Sequence, residues 1–415
     1  MDVNGLPEPQ GSLKATRPLD PKVSSILVDK NLQKTCASMV DNKLPPKTSA
    51  VVIDMGTGLC KVGFAGHPQP THTVATIVGC QHKKQVTKKQ LELETFIGEA
   101  AHSRPELRLV QPVHNGIVVD WEAAELIWQH ILEHDLRVAA QDHPLLFSDP
   151  PFSPSTNREK LMEVAFESLC SPATYVASQS VLSVYSYGNV NGLVVDSGHG
   201  VSYTVPVFQG YNLPHAIQRL DLAGNHLTAF LAETLLGSGF QLQQEDLDTV
   251  QNIKHHCCYV ASDFHKEQAR PDKECQQSMK LPDGRTVTLG KELFQCPELL
   301  FHPPDIPALS PIGLPAMAEQ SLCKVPEELR AGLAQNVLLC GGSSLFKGLK
   351  SRFRAELLHS LSSETHLVVS AQTKRNLSVW IGGSILASLP TFQSCWVLRE
   401  QYEEHGPHVV YHKCY

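Results

Sequence analysis

Val52-Ile-Asp54-Met-Gly56-Thr57-Gly58 and Val194-Val-Asp196-Ser197-Gly198-His199-Gly200 are two copies of one pattern, their aspartates 142 positions apart. Each is an apolar run, an aspartate at its end, and a turn of glycines with a hydroxyl residue. An uninterrupted apolar run bounded by turn residues reads as a buried strand. A glycine turn lets the backbone come close to a ligand and present successive N–H groups to phosphate oxygens. An aspartate at each strand end suits Mg²⁺, which takes oxygen ligands and keeps part of its hydration. Lys61, seven residues past Asp54, can neutralise phosphate charge. One such turn is an ordinary strand end. Two in register imply a duplicated unit, hence two similar lobes facing each other and able to clamp a triphosphate. A third junction, Val337-Leu-Leu-Cys340-Gly341-Gly342-Ser343-Ser344, adds to them. No G-x-x-x-x-G-K-[ST] sequence occurs, and no G-x-G-x-x-G opens a helix after a strand, so P-loop and dinucleotide folds drop out.

Bulk properties agree with a folded α/β protein. Of 415 residues, 42% are hydrophobic and 19% charged, enough apolar material for a large core. The net charge of −7 argues against a protein that binds nucleic acid by neutralising phosphates. No run of about 18 apolar residues predicts a membrane span, and no secretory signal is visible at the N-terminus. The twelve cysteines include no C-x-x-C pair, so reduced and mostly buried thiols are expected.

Residues 1–46 are rich in Pro, Lys, Ser and Asp and read as a disordered arm. Strands are expected at residues 50–53, 60–66, 145–147, 192–196 and 337–340. Helical spacing of Trp121, Ala124, Ile127, Trp128, Ile131 and Leu132 predicts a helix over 121–136. Ser153-Pro-Ser-Thr-Asn157 predicts the capped start of a helix over 158–169, and a further helix follows at 349–358. Residues 81–94, with Lys83, Lys84, Lys88 and Lys89, read as an exposed loop.

These stretches, together with Gly63-Phe-Ala-Gly66, Asn157-Arg-Glu-Lys160, Tyr175-Val-Ala, Leu213-Pro-His-Ala-Ile217 through Gly224, Leu281-Pro-Asp-Gly284, Ser378-Val-Trp-Ile-Gly-Gly-Ser-Ile-Leu-Ala-Ser-Leu389 and the terminal Lys413-Cys414-Tyr415, resemble the actin family from about residue 49 onward. The long arm, Ser148-Asp-Pro-Pro and the Ser197-Gly-His-Gly-Val turn resemble its testis-type actin-like members. The resemblance implies an α/β two-lobe fold, each lobe carrying a five-stranded sheet and helices around a nucleotide cleft. It divides the chain into a small lobe at 47–186 and 378–415, with 76–112 as an inserted outer subdomain, and a large lobe at 187–377, with 223–308 as its outer subdomain.

The same resemblance implies ATP or ADP with Mg²⁺ as cofactor. Asp54 and Asp196 would be the metal-associated carboxylates. Gly56, Thr57, Gly58 and Lys61 would form the first phosphate loop, and Ser197, Gly198 and Gly200 the second. Gln179 would orient the attacking water; Lys254 would lie near the adenosine, and Gly341, Gly342 and Phe346 at its base. Departures from the family pattern weaken this. His199 stands where actins have an aspartate, and a neutral imidazole does not replace a carboxylate. Tyr203 stands where they have a histidine close to the attacking water. His255 replaces a glutamate that accepts from the ribose, while Gln251 and Asn376 replace basic residues. These changes point to weakened ATP binding and away from efficient hydrolysis. The Lys-rich 81–94 loop and the prolines of Pro303-Pro-Asp-Ile-Pro-Ala308 replace apolar polymer contacts, so ordinary actin filaments are not expected.

The implied role is therefore not that of an enzyme. It is that of a structural scaffold of cytoplasm and cytoskeleton, in the perinuclear and acrosomal region of spermatids, with actin-like or other cytoskeletal and perinuclear proteins as partners. An active actin-fold ATPase and a nuclear actin-related subunit of a chromatin complex stand as alternatives. His255-His256-Cys257-Cys258 carries metal-ligand residue types, but consecutive helical positions point about 100° apart and do not converge on one ion. Asp149 with Glu159 reads as a solvated or capping pair, and the four tryptophans as packing.

Overall fold

A computed structural model describes residues 49–81, 95–238, 240, 247–280, 284, 286–304, 312–361 and 365–414. The N-terminal arm, nearly all of the 81–94 loop, Leu281 to Asp283 and residues 305–308 lie outside the described residues. Two six-stranded sheets organise the rest. The first runs in the order Val397–Leu398, Ala173–Ser178, Leu145–Asp149, Val51–Met55, Leu59–Phe64, His72–Ala75. The second runs Tyr211–Asn212, Ser202–Phe208, Gly192–Ser197, Val337–Cys340, Val369–Ser370, with Gln218–Leu220 also pairing Ser202–Phe208. Each has one strand more than the five that the resemblance implies.

The duplication is topological as well as sequential. Val51–Met55 pairs antiparallel with the strand after its turn and parallel with Leu145–Asp149. Gly192–Ser197 does the same with Ser202–Phe208 and Val337–Cys340. Register puts Asp54 opposite Lys61 and Asp196 opposite Tyr203, so Tyr203 is the structural counterpart of Lys61 in the second copy.

The second sheet buries both faces, as its alternation requires. Val194, Val205, Val207 and Leu338 join the core of the first sheet, whereas Leu193, Val195, Val337 and Leu339 join a second core built with Leu227, Leu231, Phe353 and Leu357. The helix Gln179–Ser186 packs against strands of both sheets, and the helix Ser378–Ser388 packs on the first sheet beside it. They touch at Gly382, where a Cβ would sit 1.7 Å from the Leu182 carbonyl oxygen. Trp380 of the second helix is fully buried and donates its indole N–H to the Val52 carbonyl at 3.1 Å.

Local details differ from expectation in two places. The helix near 158 begins earlier, at Ser155 after Pro154, with no side-chain cap. Ser153 spends its hydroxyl on Asp149, and the Asn157 amide donates to the Val118 carbonyl at 3.1 Å. Asp149 is not a solvated partner of Glu159. It is buried and lies 3.3 Å from the Arg158 guanidinium, while Glu159 accepts from the Tyr411 hydroxyl. Burial raises the Asp149 carboxyl to about 6 against the opposing pull of Arg158 and Ser153. Six of the eleven described cysteines are buried, and no disulfide joins any of the eleven.

Candidate functional site

The two glycine turns meet face to face. A Cβ on Gly58 would lie 2.8 Å from the His199 ring, and one on Gly200 would lie 2.7 Å from the Thr57 hydroxyl. Glycine is therefore required at both places by close approach of one turn to the other. Thr57 also accepts from the Gly116 amide at 2.8 Å, and Thr76 donates to the Gly56 carbonyl at 2.8 Å, fixing the first turn from outside. The second turn is fixed by Ser343, whose hydroxyl donates to the Gly198 carbonyl at 2.7 Å, and by the Gly224 amide on the same oxygen at 3.1 Å. Ser197 and Ser202 share a hydrogen bond of 2.8 Å beneath it.

Around the two aspartates the duplicated halves diverge. Asp54, 3% exposed, accepts from Lys61 Nζ at 2.9 Å on one oxygen and from the Ser148 hydroxyl at 2.7 Å on the other. Asp196 is flanked instead by Tyr203 and, in the parallel register, Cys340. Among the described residues its carboxylate accepts no side-chain hydrogen bond. Burial pushes it up to about 7, with Lys61 opposing the rise and Asp54 adding to it. On Lys61, burial alone would lower the ammonium, but its contact with Asp54 outweighs burial and holds it above its ordinary value. Burial, reinforced by Lys254, His226 and His255, brings His199 down to about 4, so the second turn carries a neutral imidazole near pH 7.

Gln179 is gathered into this centre. Its amide N–H₂ donates to Ser148 at 3.2 Å, and its carbonyl accepts from the Tyr203 hydroxyl at 2.8 Å. Lys254 is buried and donates to the Gly224 carbonyl at 2.8 Å and to Thr228 at 2.6 Å, and burial lowers its ammonium to about 8. Its hydrogen bonds thus tie the helix Leu247–Cys257 to the helix Gly224–Gly237. Gly341 has φ +83° and closes against Asp196, Gly342 faces open space, and Phe346 is buried behind them. His255 is exposed one position beyond Lys254. At the outer rim, His102 Nδ1 lies 3.5 Å from Asp248. Ser148, Thr76 and Gly116 are site residues that sequence reasoning missed; Ser343, read there only as part of the third junction, fixes the second turn. Among the described residues, no cluster of three or more His, Cys, Asp or Glu is placed to hold a metal by itself.

Whether these residues fit a phosphate chain with a divalent cation can be read from the groups left unpaired. The backbone N–H groups of Thr57, Gly58, His199 and Gly200 donate to no acceptor among the described residues. Four such donors on two touching turns are placed to contact an oxyanion from both sides. The buried, unpartnered carboxylate of Asp196 beside the Asp54–Lys61 pair suits a hydrated hard cation. The residues fit.

The carboxylate sets the pH dependence. In the ligand-free protein Asp196 sits near 7, above the ordinary carboxylate value of about 4. Its burial thus costs stability above pH 7, a cost that fades as pH falls toward 4. A cation, by contrast, needs the ionised form. The Mg²⁺-dependent part of the thermal stabilisation by ATP is expected to be large at pH 8 and small at pH 6. Thermal melts with and without Mg²⁺ at both pH values check this; equal increments would remove Asp196 as the cation's partner.

The chain belongs to the actin family, whose sequence profile matches residues 46–415. It is 79% identical to Actin-like protein 9 of Mus musculus over 415 residues, covering 100% of both chains. It is 72% identical to Actin-like protein 9 of Homo sapiens over 408 residues, 98% of each. It is 43% identical to Actin-like protein 7A of Mus musculus over 369 residues, 89% of this chain and 83% of the relative. No helix among the described residues is long and apolar enough to cross a membrane.

Proposed function

We propose that this protein is an actin-type scaffold of the cytoskeleton that holds Mg-ATP as a structural ligand and turns it over slowly, if at all. The observation that carries this reading is the asymmetry of the duplicated site. The half around Asp54 keeps a cation and a hydroxyl donor. The half around Asp196 has a neutral imidazole in its turn and a tyrosine where the first copy has Lys61.

Bound nucleotide would supply the phosphate and metal charges that these groups answer. Asp54 and Asp196 would hold the cation's shell, Lys61 would balance phosphate charge, and the four free amides would grip phosphate oxygens. With both ends of the Gln179 amide held by Ser148 and Tyr203, and a neutral imidazole in the second turn, the site offers little to orient a water for attack.

The setting extends the resemblance to testis-type actin-like proteins: the perinuclear and acrosomal cytoskeleton of spermatids, with cytoskeletal or perinuclear proteins as partners and without ordinary filaments of its own. Gentle purification followed by denaturation and measurement of released nucleotide tests the reading. Near-stoichiometric ATP with little ADP is expected. Mostly ADP would show competent hydrolysis, and a cleft empty even after adding Mg-ATP would leave a binding surface without a ligand. Immunolabelling of spermatids tests the location, which a diffuse or chromatin-bound signal would overturn.

A further inference from the structure

We propose that Tyr203 is a positioning residue that straps the second lobe to the first through a relay of three hydrogen bonds ending on Asp54, and that this strap both retains nucleotide and keeps Gln179 idle. The relay runs from the Tyr203 hydroxyl to Gln179 at 2.8 Å, from Gln179 to Ser148 at 3.2 Å, and from Ser148 to Asp54 at 2.7 Å. Its ends sit on the two equivalent hairpins: Tyr203 faces Asp196 across one, and Asp54 is the carboxylate of the other. Tyr203 and Gln179 are 5% and 8% exposed, so water competes little for either bond.

The direction of the relay is fixed. Burial, with Asp196 and Asp54 adding to it, holds the Tyr203 hydroxyl well above its ordinary range, so it stays a donor. Gln179 must then accept on its carbonyl and donate through its amide nitrogen. Ser148 accepts from that nitrogen and gives its own proton to Asp54. Each group has one assignment that satisfies it, which makes the chain an ordered strut rather than a set of interchangeable contacts.

Two consequences follow, and both rest on the nucleotide reading above. Opening the cleft must break the relay, so release of nucleotide is slowed. In hydrolysis the water oxygen bonds to the terminal phosphorus, the bond to the bridging oxygen breaks, and the water proton leaves with the released phosphate. A water aligned for that attack needs an acceptor aimed at it, and Tyr203 occupies one of the two lone pairs of the Gln179 carbonyl and fixes the direction of the other.

The test begins without nucleotide. Tyr203→Phe and Ser148→Ala, alone and combined, are compared by thermal melting. The relay predicts coupling between residues that do not touch: the double variant melts no more than marginally below the worse single variant. Strictly additive shifts would overturn the strap, whatever the cleft binds. The full chain is then loaded with a fluorescent ATP analogue and Mg²⁺. Tyr203→Phe is expected to release it about tenfold faster, the equivalent of one hydrogen bond of ordinary strength, and to hydrolyse bound ATP faster in a single turnover. Release and turnover at wild-type rates would sink the retaining and idling roles. A wild-type protein that binds no Mg-ATP would refute the proposed function instead, with the melting cycle still deciding the strap.

Discussion

Replacing Lys61 with methionine is expected to cost about 3–5 kcal/mol of stability at pH 8, the loss typical of breaking a buried ion pair by removing one partner. The Lys61 side chain is 16% exposed and that of Asp54 4%, with 2.9 Å between the charged atoms. The lysine also opposes the rise of Asp196. Without it two carboxylates face each other across the turns with no cation between them. Methionine keeps the length and the apolar stem, so packing changes little.

The pH dependence separates charge from packing. Loss of the ammonium raises Asp196 further, so the variant recovers part of its stability as pH falls from 8 to 6 and the carboxyl takes up a proton. Denaturant unfolding at the two pH values measures this. A loss below about 1 kcal/mol, the level of a surface pair, would show that Lys61 does not hold the centre together.

Gly382→Ala is expected to be strongly destabilising. The added carbon would sit 1.7 Å from the Leu182 carbonyl oxygen and 2.4 Å from its carbon, both backbone atoms within the helix Gln179–Ser186. No rotamer relieves that overlap; the helices must separate. Overpacking a tight core costs about 1–3 kcal/mol and occasionally more, and a clash with backbone belongs at the upper end or beyond. Gly332→Ala is the control. It lies exposed in the helix Glu327–Ala334 with nothing within 4 Å of the new carbon, and should stabilise by about 0.5–1 kcal/mol. Thermal melts of the two variants side by side decide the matter, and a Gly382→Ala protein as stable as wild type would mean the helices have slack.

What was legible in the sequence follows the distances over which the signals act. Asp54 and Lys61 lie seven residues apart because a tight turn joins two antiparallel strands, so the pair can be read locally. The same spacing separates Asp196 from Tyr203, yet a tyrosine matches no phosphate pattern, and its equivalence to Lys61 emerges only from register. Ser148 is 94 positions from Asp54 and reaches it through a parallel pairing that a single sequence does not declare. The one available signal was its place at the end of the apolar run 145–147, the position that Asp54 holds in its own strand. Gln179 and Tyr203 were both placed near the attacking water by resemblance, but the hydrogen bond between them and the link through Ser148 were not legible. Ser153 looked like a helix cap because hydroxyl residues near Pro usually are; the buried Asp149 carboxylate claimed it instead.

The contact at Gly382 also bears on the candidate site. Two helices pressed together with no clearance at one point transmit any shift of one directly to the other. Gln179 opens the helix that carries Leu182, so a change at Gly382 far along the chain is delivered, through three residues of rigid helix, to the amide that bonds Ser148 and Tyr203.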